Sequence, residues 1–136
     1  MTYLDANVFI FAACDLSPIG EAARKILRMV QEGDQKAITS ALTYDEVVWG
    51  IRKLLGKEKS QWVGELFLFI SHLSIKEVTR ETLSEAQHFM KHYNLDPRDA
   101  IHLATMRLEN EGEIISEDAD FDAVPFIKRI PLGSQK

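Results

Sequence analysis

The sequence predicts an α/β fold in three layers, α/β/α, with a central, mainly parallel sheet flanked by helices. Short apolar runs rich in Val, Ile, Tyr and Phe alternate with longer segments whose apolar residues repeat at helical spacing. Strands that alternate with helices pair in parallel through right-handed crossovers and are covered on both faces. The 136 residues carry no internal repeat, low-complexity tract or Pro/Gly-rich linker. One domain spanning residues 1–136 is expected, long enough to bury about 65–70% of its unfolded surface without a disulfide or structural metal.

The chain opens MTYLDANVFIF, an apolar run that reads as a buried first strand through Tyr3, Leu4, Val8, Phe9, Ile10 and Phe11, with Asp5 and Asn7 at its centre. Ser17-Pro18 supplies the N-cap and first position of a helix whose Ile19, Ala22, Ala23, Ile26, Leu27 and Val30 recur at helical spacing up to about Gly33. KAITS, residues 36–40, is a short strand. A second helix runs from about Ala41 to Leu55 and stops at Gly56, and a third covers about Glu58 to His72. LSIKEV, residues 73–78, alternates as a strand does, and Thr79 then caps a helix reaching about Tyr93. Asp96-Pro97 begins a helix that ends near Gly112. EIIS, residues 113–116, an acidic loop, and FIKRI, residues 126–130, complete the sheet.

Composition excludes several classes. The longest apolar run, Val8 to Cys14, is far shorter than the roughly 18 residues of a transmembrane candidate. No basic residue precedes Arg24, whereas a secretory leader carries positive charge ahead of its apolar core. The single cysteine, Cys14, permits no internal disulfide and reads as a small buried hydrophobe in a reducing setting. A cytoplasmic protein with no membrane association is expected. The net charge of -5 argues against indiscriminate coating of nucleic acid, although divalent cations held in an acidic site reverse the local sign.

In a parallel α/β sheet, functional groups gather at the carboxyl ends of the strands. Asp5 falls at the end of the first strand and Glu46 at the start of the helix after KAITS. Asp99 falls in the first turn of the helix opened by Asp96-Pro97, while Asp118, Asp120 and Asp122 crowd SEDADFD after EIIS. A buried carboxylate such as Asp5 costs several kcal/mol unless paired. Clustered carboxylates repel by about 1 kcal/mol per pair in water and about 4 kcal/mol at an effective dielectric of 20. Such a cluster implies a cation, and oxygen ligands without Cys suit Mg²⁺ or Mn²⁺. Each acid also has an ordinary use. Glu46 completes a capping box with Thr43, Asp99 complements a helix dipole, and SEDADFD forms a solvated turn.

The order YLDANVFI, an isolated Glu46 early in a helix, DAIHLA from Asp99 to Ala104, and IISEDADFD resembles a PIN domain, the metal-dependent ribonuclease fold. The resemblance spans about Thr2 to Leu132, including the closing IKRIPL. It implies that Asp5, Glu46, Asp99 and Asp118 are the catalytic acids and hold Mg²⁺ or Mn²⁺, with Asp120, ahead of Asp122, as a supporting member. It further implies hydrolysis of RNA phosphodiesters by metal-activated water, releasing a 5′-phosphate and a 3′-hydroxyl. Asn7 would bond an acid or a metal-bound water, or else cap a helix. Ser116, where the family often has Thr, would orient Asp118 or the metal shell. Arg98 would reach a substrate phosphate, or else stay solvated. Ala6 departs from the Thr or Ser of many members and removes a hydroxyl but no ligand.

A stand-alone domain of this length is most similar to the toxin of a VapBC-type toxin-antitoxin pair, which implies a homodimer and a cognate antitoxin. The segment KEKSQWVGELFLFIS, with Trp62, Leu66, Phe67 and Phe69, carries more apolar bulk than one core-facing stripe needs and is expected to contribute to such a surface. A PIN-type RNA-processing nuclease without an antitoxin is the alternative. A haloacid-dehalogenase-type phosphatase needs a second Asp where this chain has Asn7, and a receiver domain places its acceptor after a middle strand. Intact acids argue against a non-catalytic scaffold. His88 and His92 have the spacing of a zinc pair but lack the Glu of HExxH and a third ligand. His102 reads as a residue that packs or supports a neighbouring acid.

Overall fold

A computed structural model describes residues 1–134 of the chain. Its order is β1 (Thr2–Leu4), α1 (Ala6–Cys14), α2 (Pro18–Gln31), β2 (Ala37–Ser40), α3 (Ala41–Leu55), α4 (Lys57–Leu68), β3 (Leu73–Lys76), α5 (Arg80–Tyr93), α6 (Pro97–Leu108), β4 (Glu113–Ile115) and β5 (Lys128–Ile130). A 3-10 turn at Ala119–Ala123 joins the last two strands, and another at Leu132–Ser134 follows them. The five strands form one sheet in the order β3-β2-β1-β4-β5, and every adjacent pair is parallel. This is the three-layer α/β/α architecture expected from the alternation of elements.

The opening run departs from expectation. Only Thr2–Leu4 is strand, and residues 6–11, expected to continue it, belong to the helix Ala6–Cys14. A short apolar run has no periodicity that separates a buried strand from a buried helix. The decision falls to Asp5, whose extended backbone ends β1 and whose side chain accepts a hydrogen bond from the Ala6 amide at 2.8 Å, capping α1. Because α1 packs against both α2 and α3, it is apolar nearly all round. Cys14 lies partly buried against that core and donates to the Ile10 carbonyl.

Alternation along the short strands divides the interior. Leu4, Ala37 and Ile115 face α1–α4, where Phe9 meets Phe67 edge-on with ring centroids 4.9 Å apart. Tyr3, Ile38 and Ile114 face the opposite side with Met106 of α6 and Phe121. There α5 packs on α6 through Ala86, Phe89, Ala100 and Leu103. Of the residues around α4 expected to exceed a core stripe, Phe67 is buried while Trp62, Leu66 and, just past the helix end, Phe69 are exposed. None of the described helices is long and apolar enough to cross a membrane.

The chain leaves α1 through a tight elbow. Arg24 of α2 donates to the carbonyls of Ala12 and Asp15, and Asp15 accepts from the Ser17 amide and hydroxyl. Gly20 closes the elbow, since a Cβ there would stand 1.8 Å from the Asp15 carbonyl oxygen. Backbone cannot yield as a flexible side chain does, so Gly20→Ala is expected to destabilise the fold by at least the ~1–3 kcal/mol of ordinary overpacking. Urea unfolding measures it, and an unchanged midpoint would mean that the elbow opens freely.

Candidate active site

The strand order places a switch point between β1 and β4, because the chain winds outward through β2 and β3 and then returns to the other side of β1. Asp5 leaves the carboxyl end of β1 there and is 7% exposed. Its Oδ2 accepts from the Ser116 hydroxyl at 2.5 Å and from the Asn7 amide at 3.2 Å, while Oδ1 takes the Ala6 N–H. Ser116 Oγ also accepts from the Asp118 amide at 2.9 Å, and Asn7 Oδ1 from the Glu117 amide. These bonds pin the β4 exit loop to the start of α1. Burial pushes the Asp5 carboxyl up, the opposing pull of His102 and the hydrogen bonds from Ser116 and Ala6 notwithstanding, and Glu46 adds to the rise.

Glu46 arrives from the second turn of α3. The capping box that Thr43 and Glu46 would form is absent. Ser40 caps α3 by accepting from the Leu42 amide, and Thr43 instead bonds Thr39, whose hydroxyl donates to the Leu4 carbonyl. Glu46 is therefore free of the helix end and meets His102, with Nε2 and Oε1 2.5 Å apart. On the other side of the imidazole, Nδ1 lies 2.6 Å from the Tyr3 hydroxyl. Tyr3 and His102 are wholly buried. Burial and the negative charges of Asp5 and Glu46 hold the Tyr3 phenol well above its usual pKa. For His102, burial pulls downward but the Glu46 hydrogen bond and the surrounding carboxylates outweigh it, raising the pKa. In either protonation state with an Nε2–H, His102 donates to Glu46.

Asp99 sits in the first turn of α6, behind Asp96 and Pro97. It faces Asp118 and Asp120, and one carboxylate oxygen from each of these acids falls within 4.8 Å of the others. Asp118 also caps the 3-10 turn by accepting from the Asp120 amide. Asp99 is pushed up to about 7, first by burial and then by the charges of Asp118 and Asp5. A second trio, Asp5, Glu46 and His102, meets the same distance limit. Asp122 points elsewhere. Arg129 grips it with Nε and Nη2 at 2.9 and 3.0 Å and holds its carboxyl below the usual range.

One open cleft of about 260 Å³ is bordered by Asp5, Asn7, Glu46, Asp99 and Asp118 with Arg98 on its rim, and a neighbouring cleft extends it to Asp96 and Asp120. Asp5, Glu46, Asp99 and Asp118 thus converge from four separated segments. Their oxygens form a hard donor set that suits Mg²⁺ or Mn²⁺, and a cation there would offset both the burial and the crowding that raise the Asp99 pKa. Sequence reasoning passed over Tyr3 as an ordinary strand residue and saw nothing in Trp49 or Lys53, which also line this cleft. A signal existed for the last two, since both follow Glu46 at spacings of three and seven that return to one helix face.

Ribonuclease VapC13 of Mycobacterium tuberculosis is 22% identical to the chain over 134 residues, 96% of this chain and 99% of its own. A VapC ribonuclease of Mycobacterium bovis aligns to the same extent. Among solved structures, Mycobacterium tuberculosis VapC20, a Sarcin-Ricin loop cleaving toxin, superposes with a TM-score of 0.77 at 15% identity, over 93% of this chain and 97% of its own. DNA-bound VapBC from Salmonella typhimurium gives a TM-score of 0.74 at 18% identity, over 96% and 97%. The second pair establishes likeness of fold. Residues 2–127 match the PIN domain, so with acids gathered at the switch point of a parallel sheet, the chain belongs to the PIN domain family.

Proposed function

We propose that the protein is a metal-dependent endoribonuclease acting in the cytoplasm as the toxin of a VapBC-type pair. The observation that carries this reading is the convergence of Asp5, Glu46, Asp99 and Asp118 on one solvent-open cleft. Asp5, Glu46, Asp99 and Asp118, with Asp120 in support, would hold Mg²⁺ or Mn²⁺. When bound, such an ion supplies an activated water and neutralises charge on a phosphoryl group. Ser116 and Asn7 hold the Asp5 carboxylate toward the cleft, His102 restrains one oxygen of Glu46, and Arg98 on the rim meets a substrate phosphate.

The toxin reading draws on the relatives named above and on the apolar surface of α4. Trp62 and Leu66 border a shallow groove of about 290 Å³ with Phe9, Ala12, Leu27 and Ile70, and Phe69 beside it is 75% exposed. A surface of this kind suits burial in a homodimer or under a cognate antitoxin.

Purified protein with structured RNA and Mg²⁺ or Mn²⁺ is expected to cleave it, and Asp99→Asn to lower the rate by about 100-fold or more, the value of several kcal/mol of charge stabilisation. Cleavage that survives both EDTA and the substitution would sink the reading. The raised Asp99 pKa gives a second expectation. The folded protein binds this proton more tightly than the unfolded chain, so its contribution to stability is complete below about pH 3.8 and is lost as pH rises through about 7. Asp99→Asn is expected to raise the metal-free Tm at about pH 8 but not at about pH 4, by about 3–5 °C per kcal/mol relieved. Identical profiles for the two proteins would show that the Asp99 pKa is not raised in the folded protein. For the toxin assignment, expression is expected to arrest growth, and co-expression of a short open reading frame encoded beside it to restore growth. Harmless expression of enzyme that cleaves RNA in vitro would leave an RNA-processing nuclease.

A further inference from the structure

One face of α3 carries more than Glu46. Trp49 lies three residues beyond it and Lys53 four beyond that, and both border the cleft that holds Asp5, Asp99 and Asp118. Trp49 is 48% exposed, an indole left in water beside the acids. The Lys53 ammonium lies 5.7 Å and the Arg52 guanidinium carbon 5.9 Å from the centre of its ring. Arg98 borders the same cleft from α6. Among the described residues, none of these three cations takes part in an ion pair. In a chain of net charge -5, unpaired cations collected around one exposed aromatic at the mouth of an acidic cleft mark where a polyanion is tolerated.

We propose that Trp49 is a stacking subsite for one unpaired nucleobase of RNA next to the bond that is cut, with Lys53 and Arg98 taking the phosphates on either side. The inference rests on the ribonuclease reading and adds to it the residue that holds the nucleotide beside the cut. A base inside a duplex has both faces occupied by its neighbours, whereas a splayed base offers a face to an indole. Stacking tolerates any base, so the subsite selects strandedness rather than sequence. Cations beside the ring serve twice, holding the indole in place and neutralising the backbone of the stacked nucleotide.

The test uses the chain's having two tryptophans, so that Trp62→Phe leaves Trp49 as the sole indole. In the Trp62→Phe, Asp99→Asn protein, a short single-stranded RNA is expected to quench Trp49 fluorescence and the same RNA annealed to its complement to leave it unchanged. In otherwise wild-type protein with Mn²⁺, Trp49→Ala is expected to raise KM for single-stranded RNA about 10-fold with kcat within about 2-fold, and Trp49→Phe to recover most of the loss. Equal quenching by duplex, an unchanged KM in Trp49→Ala, or a fall in oligomer size on the same substitution would overturn the subsite, the last making Trp49 a contact between copies of the chain. Wild-type cleavage with an unchanged Trp49→Ala removes the subsite alone. Selective quenching by RNA that the wild type never cuts keeps the subsite and removes the nuclease reading.

Discussion

The hydrogen bonds around the Asp5 carboxylate hold the rest of the architecture in place. One oxygen receives the Ala6 amide and starts α1, and the other receives Ser116 and Asn7, joining the exit of β4 to the first turn of that helix. A single buried acid therefore ends a strand, begins a helix and sews together the two sides of the switch point. Placed in an apolar interior without these donors, it would cost several kcal/mol. With them it remains the most enclosed of the carboxylates facing the cleft, the wall against which Glu46, Asp99 and Asp118 are set.

Electrostatics around that wall are unbalanced. Burial raises Asp99 first and the charges of Asp118 and Asp5 add to it, while the Asp5 carboxyl rises with its own burial. His102 reaches these acids from within the core, and it leans on Glu46 with Tyr3 behind it. Outside, Arg98 and Lys53 bring positive charge to the rim. A cleft built this way repels a bare phosphodiester at its floor and accepts one at its edge, an arrangement that a divalent ion at the floor converts from barrier to attractor.

Much of this was legible from residue order. Ser17-Pro18 and Thr79 start helices as expected, and the α-helix after Asp96-Pro97 carries Asp99 in its first turn. The parallel sheet followed from alternation alone. Two readings failed for local reasons. VFIF has no polar residue to reveal its period, so it reads as strand, and the Asp5 cap makes it helix. TYDE matches a capping box in sequence, yet Ser40 precedes it by three residues and takes the cap, which leaves Glu46 for the cleft. The alternative of a solvated turn holds for Asp122, paired with Arg129, whereas Asp118 is partly buried facing Asp99 and Asp120 stands exposed beside them.

Sequence alone determined the class of fold, the helix starts and which acids stand after strands, because these depend on short-range periodicity and capping. Tertiary structure decided what those acids meet. The contacts Tyr3 to His102, His102 to Glu46, and Ser116 to Asp5 join residues 99, 56 and 111 positions apart. No local pattern encodes such pairings. They arise only when the sheet order brings β4 beside β1 and lays α6 beneath them, so the partner of a buried polar group is set by packing rather than by its neighbours in the chain.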